Sequence, residues 1–169
     1  MQISNGDGDA FLVQFAGNNY NAPNLKKLLL DENRGKIFHY ARFDLAIIKK
    51  YLGVEMSNIF CTKIASRLVR TYTDHHGLKD LCRELLGVTI SKQQQTSYWG
   101  AAKLTEDQKE YAAKDVVFLH AIRSILQEML VVENRSEIAR KLFDFLPTRV
   151  NLDLMGWNEI DIFAYNIVR

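Results

Sequence analysis

The sequence predicts an α/β fold in which helices flank a mixed sheet, and three observations point to it. Short β-rich runs stop at Cys61. Helical periodicity takes over after that residue. Between residues 24 and 61 the two patterns alternate, as they do where strands are joined through helices. The chain has 169 residues, which suits one domain around one core, residues 1–169.

Asn5-Gly6-Asp7-Gly8 is a turn signal between Gln2-Ile3-Ser4 and the apolar run Phe11-Leu12-Val13-Gln14-Phe15, so the chain is expected to open with a β-hairpin. Residues 24–31 read as a short helix and 36–40 as a strand. Residues 42–52 form an amphipathic helix stopped by Gly53. A short strand over 58–61 leads into a helix over 62–70, and a further helix over 76–86 ends at Gly87. Residues 88–99 look irregular. Thr105, with Gln108 three positions on, is a capping box opening a long helix that is expected to reach about Val132. A last helix is expected over 136–145, ahead of Pro147.

Charge narrows the function less than pattern does. Lys and Arg exceed Asp and Glu by only two, so any surface for a polyanion must come from local clustering. The two cysteines, Cys61 and Cys82, make neither a zinc-type spacing nor a disulfide framework; reduced thiols and a cytoplasmic location are expected. The first residues lack the basic and apolar regions of a secretion signal, and no apolar run is long enough to span a membrane.

Two carboxylates stand where apolar residues belong. In the long helix, Tyr111, Asp115, Phe118, Ile122, Ile125 and Met129 share one face, while Lys109, Glu110, His120, Gln127 and Glu128 share the other. Asp115 therefore lies inside the apolar stripe, with Tyr111 one turn earlier. In the helix over 42–52, Ile47, Ile48, Tyr51 and Leu52 mark the apolar side, Arg42, Lys49 and Lys50 the wet side, and Asp44 projects among the former near the helix start. Each aspartate alone has a plain alternative, Asp44 as a first-turn carboxylate and Asp115 as the partner of a core Arg or His. Together they are explained more economically by a shared hard divalent cation, Mg²⁺ or Mn²⁺. A third feature is a basic stripe. Lys63, Arg67 and Arg70 fall within a narrow helical arc, followed at once by Tyr72, His75 and His76. Cations beside rings suit phosphates and bases; a solvated helix face is the alternative.

These residues resemble a known family. His39-Tyr40-Ala41-Arg42-Phe43-Asp44 is similar to the second motif of the DEDD superfamily of 3′–5′ exonucleases, and Tyr111-Ala112-Ala113-Lys114-Asp115 to the third motif of its tyrosine-containing subclass. Cys61-Thr62-Lys63-Ile64-Ala65-Ser66-Arg67, His76-Gly77-Leu78-Lys79-Asp80-Leu81, and Trp99-Gly100 followed by Leu104-Thr105 resemble the ribonuclease D branch. Phe145-Leu146-Pro147-Thr148-Arg149 with Leu152-Asp153-Leu154 is most similar to the small nanoRNase C type. The resemblance implies a ribonuclease H-like fold and a metal-dependent exoribonuclease. In that family four carboxylates hold two divalent cations, Mg²⁺ or Mn²⁺. It implies metal-binding roles for Asp44 and Asp115, and a water-orienting role for Tyr111. It also implies short single-stranded RNA, down to dinucleotides, as substrate, and a closed homo-oligomer. Lys63, Arg67, Arg70, Tyr72 and His75 are added as nucleic-acid contacts on the basic-stripe argument.

The family's first motif, Asp-x-Glu on its opening strand, would precede the segment matching Met1-Gln2-Ile3-Ser4 and is not among these residues. The fold is accordingly expected to lack the family's first strand. The expectation is either a trimmed or internally started exoribonuclease, or a nucleic-acid-binding or structural protein that does no chemistry. Asp7-Gly8-Asp9 is no substitute, being a solvated hairpin turn. Tyr98 stands where relatives carry Asp. His39 is expected as a hydrogen-bonded core histidine, His120 as exposed, Cys61 as an inert buried thiol, and Trp157 with 160–165 as core or an oligomer contact.

Overall fold

The computed structural model describes residues 1–90 and 97–165. The irregular stretch expected over 88–99 lies partly outside them. A hairpin opens the chain: β1 (Gln2–Ile3) pairs antiparallel with β2 (Phe11–Leu12), placing Gln2 opposite Leu12 and Ile3 opposite Phe11. Its turn is held by its own polar side chains. Ser4 Oγ accepts from the Gly6 amide at 3.2 Å and Asp7 Oδ1 from the Asp9 amide at 2.9 Å. Asp7 and Asp9 are exposed there, as expected of a turn tip.

Helix α1 (Pro23–Leu30) starts on a proline whose missing amide costs nothing at that position. Strand β3 (Lys36–Phe38) follows, then α2 (Ala41–Leu52), β4 (Ile59–Cys61), α3 (Thr62–Val69) and α4 (Leu78–Leu86). β3 and β4 are parallel, joined through α2, with Lys36 opposite Ile59, Ile37 opposite Phe60, and Phe38 opposite Cys61. Gly53 closes α2 at φ 66°, its amide donating to Lys49 O. The mixed character is therefore present as one antiparallel and one parallel pair, and among the described residues these stand as two separate sheets.

The apolar face of α2 lies one position from the expected one. Ala41, Leu45, Ile48 and Leu52 are buried, while Ile47 and Tyr51 are more than two-fifths exposed. Arg42 and Lys49, expected to be solvated, are instead paired, Arg42 with Asp153 and Lys49 with Glu55 and Asn151. The apolar stripe of α2 packs chiefly on the last helix, and α3 chiefly on α6.

The long helix expected from Thr105 to Val132 is two helices, α5 (Glu106–Lys114) and α6 (Leu119–Val132). The capping box at Thr105 and Gln108 is present as expected. Between the helices, over 115–118, the bonding tightens, with the Asp115 and Val116 amides donating to Ala112 O and Ala113 O. Two adjacent β-branched valines favour a break there. The break resets the helical phase, so α6 buries Leu119, Ile122, Leu126 and Leu130, and the expected stripe through Ile125 and Met129 is only half-buried. His120, expected in solvent, is half-buried against the hairpin turn. A Cβ at Gly6 (φ 88°) would lie 2.7 Å from its ring, so that glycine is what lets the turn approach α6.

The last helix also departs from expectation. α7 spans Ser136–Leu152 and runs through Pro147. The proline removes one helical hydrogen bond, yet Ala139, Phe143, Leu146 and Val150 form one continuous buried stripe across it. Packing on α2 and β4 outweighs the local penalty. A π-type turn over Asp153–Trp157 follows.

Candidate active site

Asp44 and Asp115 reach one region from different elements. Asp44 sits in the first turn of α2, and Asp115 caps the end of α5 at the break before α6. Both are half-buried. Burial, and then the negative charge of Asp115, push the Asp44 carboxyl up to about 6; burial also raises that of Asp115. Among the described residues neither carboxylate makes an ion pair with Lys, Arg or His. Among the described residues Asp115 has no core cation as partner, and Asp44 gains only the helix N-terminus and its own amide. Two like charges held together without a counter-charge are costly, and a cation between them removes the cost.

Tyr111 is one turn before Asp115 on α5. Burial and the Asp115 charge raise its phenol, so it remains a protonated donor across the physiological range. Trp99 tilts against its ring at 6.0 Å between centroids. The loop carrying Trp99 is fixed by Gln108, whose Nε2 donates to Ser97 Oγ and Tyr98 O at 3.0 and 3.1 Å. Tyr98 itself projects into solvent.

The chemistry of this donor set fits a hard divalent cation, but only in part. Asp44 and Asp115 offer carboxylate oxygens alone, as Mg²⁺ or Mn²⁺ prefers. Among the described residues no three or more Asp, Glu, His or Cys converge on one point.

The second motif enters α2 through an unusual backbone. Tyr40, just before the helix, adopts the left-handed conformation at φ 68°, ψ 45°. For a side chain of this bulk that costs about 1–2 kcal/mol. The residue is 49% exposed, and Lys63 Nζ sits 4.3 Å from its ring centroid. Such a contact at an exposed site returns about 0.5–1 kcal/mol, less than the strain. Next to it His39 is the hydrogen-bonded, half-buried histidine that was expected. Thr62 Oγ1 donates to Phe38 O at 3.2 Å, so it accepts from His39 Nδ1 at 2.9 Å, which assigns the proton to Nδ1. Burial and the neighbouring Lys63 lower this imidazole to about 4.

The basic stripe divides in two. Lys63 and Arg67 face outward, and Tyr72 and His75 lie on the exposed loop beyond. Arg70, expected among the phosphate contacts, is fully buried. Its guanidinium donates to Ser66 Oγ at 3.0 Å, His75 O at 2.9 Å and Tyr72 Oη at 3.3 Å, and pairs with Glu84. Helix α3 ends at Val69, so Arg70 leaves the helical arc and turns under the loop it organises. Sequence spacing missed this because most of its acceptors, Tyr72, His75 and Glu84, lie beyond the helix. It also missed Tyr40, for which a left-handed backbone gave no periodic signal, and Asp153. Asp153 receives Arg42 Nε at 2.5 Å and Nη2 at 2.7 Å, with Arg149 Nη2 at 3.1 Å. Trp157 is 39% exposed and is held through its carbonyl by Arg149. Cys61 and Cys82 are both buried and free.

Comparison with known proteins agrees with this arrangement. The pattern of a family described as 3′–5′ exonuclease matches residues 1–131. The chain is 38% identical over 106 residues to DNA polymerase I of Aquifex aeolicus, and 37% identical over 108 residues to ribonuclease D of Gluconacetobacter diazotrophicus. These matches cover 63% and 64% of this chain but only 18% and 27% of those proteins. Brucella melitensis NrnC superposes with a TM-score of 0.94 at 53% identity, over 98% of this chain and 80% of NrnC. NrnC with bound Mg²⁺ and NrnC bound to pGG superpose equally well, at 0.93 and 0.94. The helices and small sheets thus follow the ribonuclease H-like exonuclease fold, and the chain belongs to the 3′–5′ exonuclease family, in its ribonuclease D and NrnC branch.

Proposed function

We propose that this chain is the larger part of a metal-dependent 3′–5′ exoribonuclease that acts on short single-stranded RNA, down to dinucleotides, and releases nucleoside 5′-monophosphates. The observation that carries the proposal is the pairing of Asp44 with Asp115, two half-buried carboxylates with no ion-pair partner among the described residues, the first raised by burial and by the charge of Asp115 and the second by burial, with the Tyr111 phenol beside them. The Mg²⁺ and pGG bound by NrnC support the cofactor and substrate class.

In this reading Asp44 and Asp115 hold divalent cations, Mg²⁺ or Mn²⁺, together with first-motif carboxylates that are not among these residues. Two such ions supply Lewis-acid activation of water and neutralise the leaving oxygen. Tyr111 keeps its proton and donates a hydrogen bond that orients the attacking water toward the scissile phosphorus. Its position is set by Trp99 on one side and the α5 backbone on the other. Lys63 and Arg67 draw the phosphate backbone to the site, with Tyr72 and His75 at its margin. Arg70 takes no part in contact and instead fixes the loop that carries Tyr72 and His75. A cytoplasmic homo-oligomer is the proposed working form.

One observation favours a second reading, nucleic-acid binding without chemistry by these 169 residues: among the described residues only two carboxylates converge. A single experiment separates the two. A 5′-labelled RNA dinucleotide and a longer single strand are incubated with Mn²⁺ or Mg²⁺. The proteins are the 169-residue chain, the same chain extended by an Asp-x-Glu strand, and the Asp115→Asn form of each. Stepwise 3′ trimming by the extended chain that disappears in its Asp115→Asn form is the expected result. Undiminished turnover by Asp115→Asn would remove this aspartate from the mechanism. Binding without cleavage by every form would establish the second reading.

A further inference from the structure

The parallel pairing of β3 and β4 places Phe38 opposite Cys61. Both strands end there, and the next two residues of each leave the sheet at the same edge. His39 and Thr62 come first and are clipped together through Nδ1 and Oγ1 at 2.9 Å. Tyr40 and Lys63 come second, and their side chains meet, the ammonium 4.3 Å from the ring centroid. Carboxyl ends of parallel strands are where open α/β sheets bind ligands. Asp44 lies one turn further along α2.

Three properties of this pair exceed what packing requires. Tyr40 keeps an aromatic side chain at a left-handed position that Gly or Asn would occupy with little strain. The residue is about half exposed although its backbone is strained. Lys63 has no carboxylate within ion-pair distance among the described residues, so its charge is not spent on a protein anion. An open aromatic face, a cation without an ion-pair partner among the described residues and a nearby carboxylate pair suited to a divalent ion match a base, a phosphate and a phosphate-bound metal ion.

We propose that Tyr40 and Lys63 form a nucleotide subsite beside Asp44, in which the ring stacks on one base of the substrate and the ammonium takes the adjoining phosphate. The subsite rests on the exonuclease reading and adds to it a base-reading surface at the carboxyl ends of the parallel strands. The stack is tolerant of base identity, since every base offers a π-face. The strained backbone holds the ring in place before the substrate arrives, and Lys63 keeps it from swinging away.

The test is equilibrium dialysis of 5′-phosphorylated diadenylate RNA against the full chain, with the abasic analogue of the same dinucleotide as a second probe. Tyr40→Asn removes the ring and retains a residue tolerant of the left-handed backbone, and Tyr40→Phe retains the ring. A matching thermal midpoint shows that each variant is folded. Tyr40→Asn is expected to weaken diadenylate binding about tenfold and leave the abasic probe unchanged, while Tyr40→Phe stays near the parent for both. Lys63→Gln is expected to weaken both probes and flatten the salt dependence by about one phosphate contact. Equal diadenylate affinity in Tyr40→Asn and the parent overturns the subsite, while the exonuclease reading stands if Asp115→Asn still abolishes trimming. Loss of the abasic probe along with diadenylate in Tyr40→Asn also overturns it, because the ring would then be supporting structure rather than a base. If the parent binds neither probe, the subsite falls together with the exonuclease reading.

Discussion

Asp44 carries its negative charge against the preference of its surroundings, and that conflict is measurable without substrate. Its carboxyl titrates near 6 in the folded chain against an ordinary 3.8, so the unfolded chain ionises first as pH rises. Below about pH 4 both states are protonated and the group contributes nothing. Between about 4 and 6 stability falls with rising pH, and above 6 the whole penalty is present, on the order of 2–3 kcal/mol. Asp44→Asn is therefore expected to raise the thermal midpoint of the chain at pH 7.5 in EDTA, with the gain shrinking toward pH 4. A gain independent of pH would show that the carboxyl is not the source. The same conflict is why Asp44 and Asp115 were legible in the sequence: a carboxylate inside an apolar stripe breaks a pattern. Arg70 broke none. It continued the arc of Lys63 and Arg67, and the Ser66, His75 and Glu84 groups that bury it come from one turn earlier, the next loop and the next helix, respectively.

At the scale of elements, boundaries set by turn chemistry were readable and boundaries set by packing were not. The hairpin turn, Gly53, Gly87 and the Thr105 capping box each act within a few residues, and each stands where the sequence places it. The break at 115–118 and the passage of α7 through Pro147 are decided by what lies across the core, which local pattern does not contain. The stretch after α7 shows the same dependence. It is tied to the start of α2 by the two-pronged contact of Arg42 with Asp153 and by the Arg42 bond to Asn158 O at 2.7 Å. Asp153 is 11% exposed, so its loss leaves both Arg42 and Arg149 without their shared acceptor. Asp153→Ala is expected to make the segment after Leu152 several-fold more susceptible to limited proteolysis, with the first 150 residues still resistant. Cleavage spread evenly along the chain would mean instead that this contact supports the whole core.

Across the whole molecule, fold class followed from element order, because strands joined through helices have few ways to close on one core. Among the described residues the strands stand as two small sheets, one antiparallel and one parallel. Family membership followed from spaced motifs, the second leading into α2 and the third closing α5. What spacing left unseen was the convergence at the strand ends. It depends on the register of β3 against β4, and register is a property of two distant segments together.

The two buried thiols turn this core into its own clock. Cys61 closes β4 and Cys82 sits inside α4, and both belong to the same apolar cluster. Burial and the Asp115 charge push the Cys82 thiol up to about 11, which at pH 8 leaves about one thiolate per thousand in the closed chain. Alkylation therefore counts openings. With iodoacetamide under native conditions, mass spectrometry is expected to find both sites modified together, at one rate set by opening of the cluster. Earlier modification of Cys82 alone would identify α4 as the part of the molecule that comes loose first.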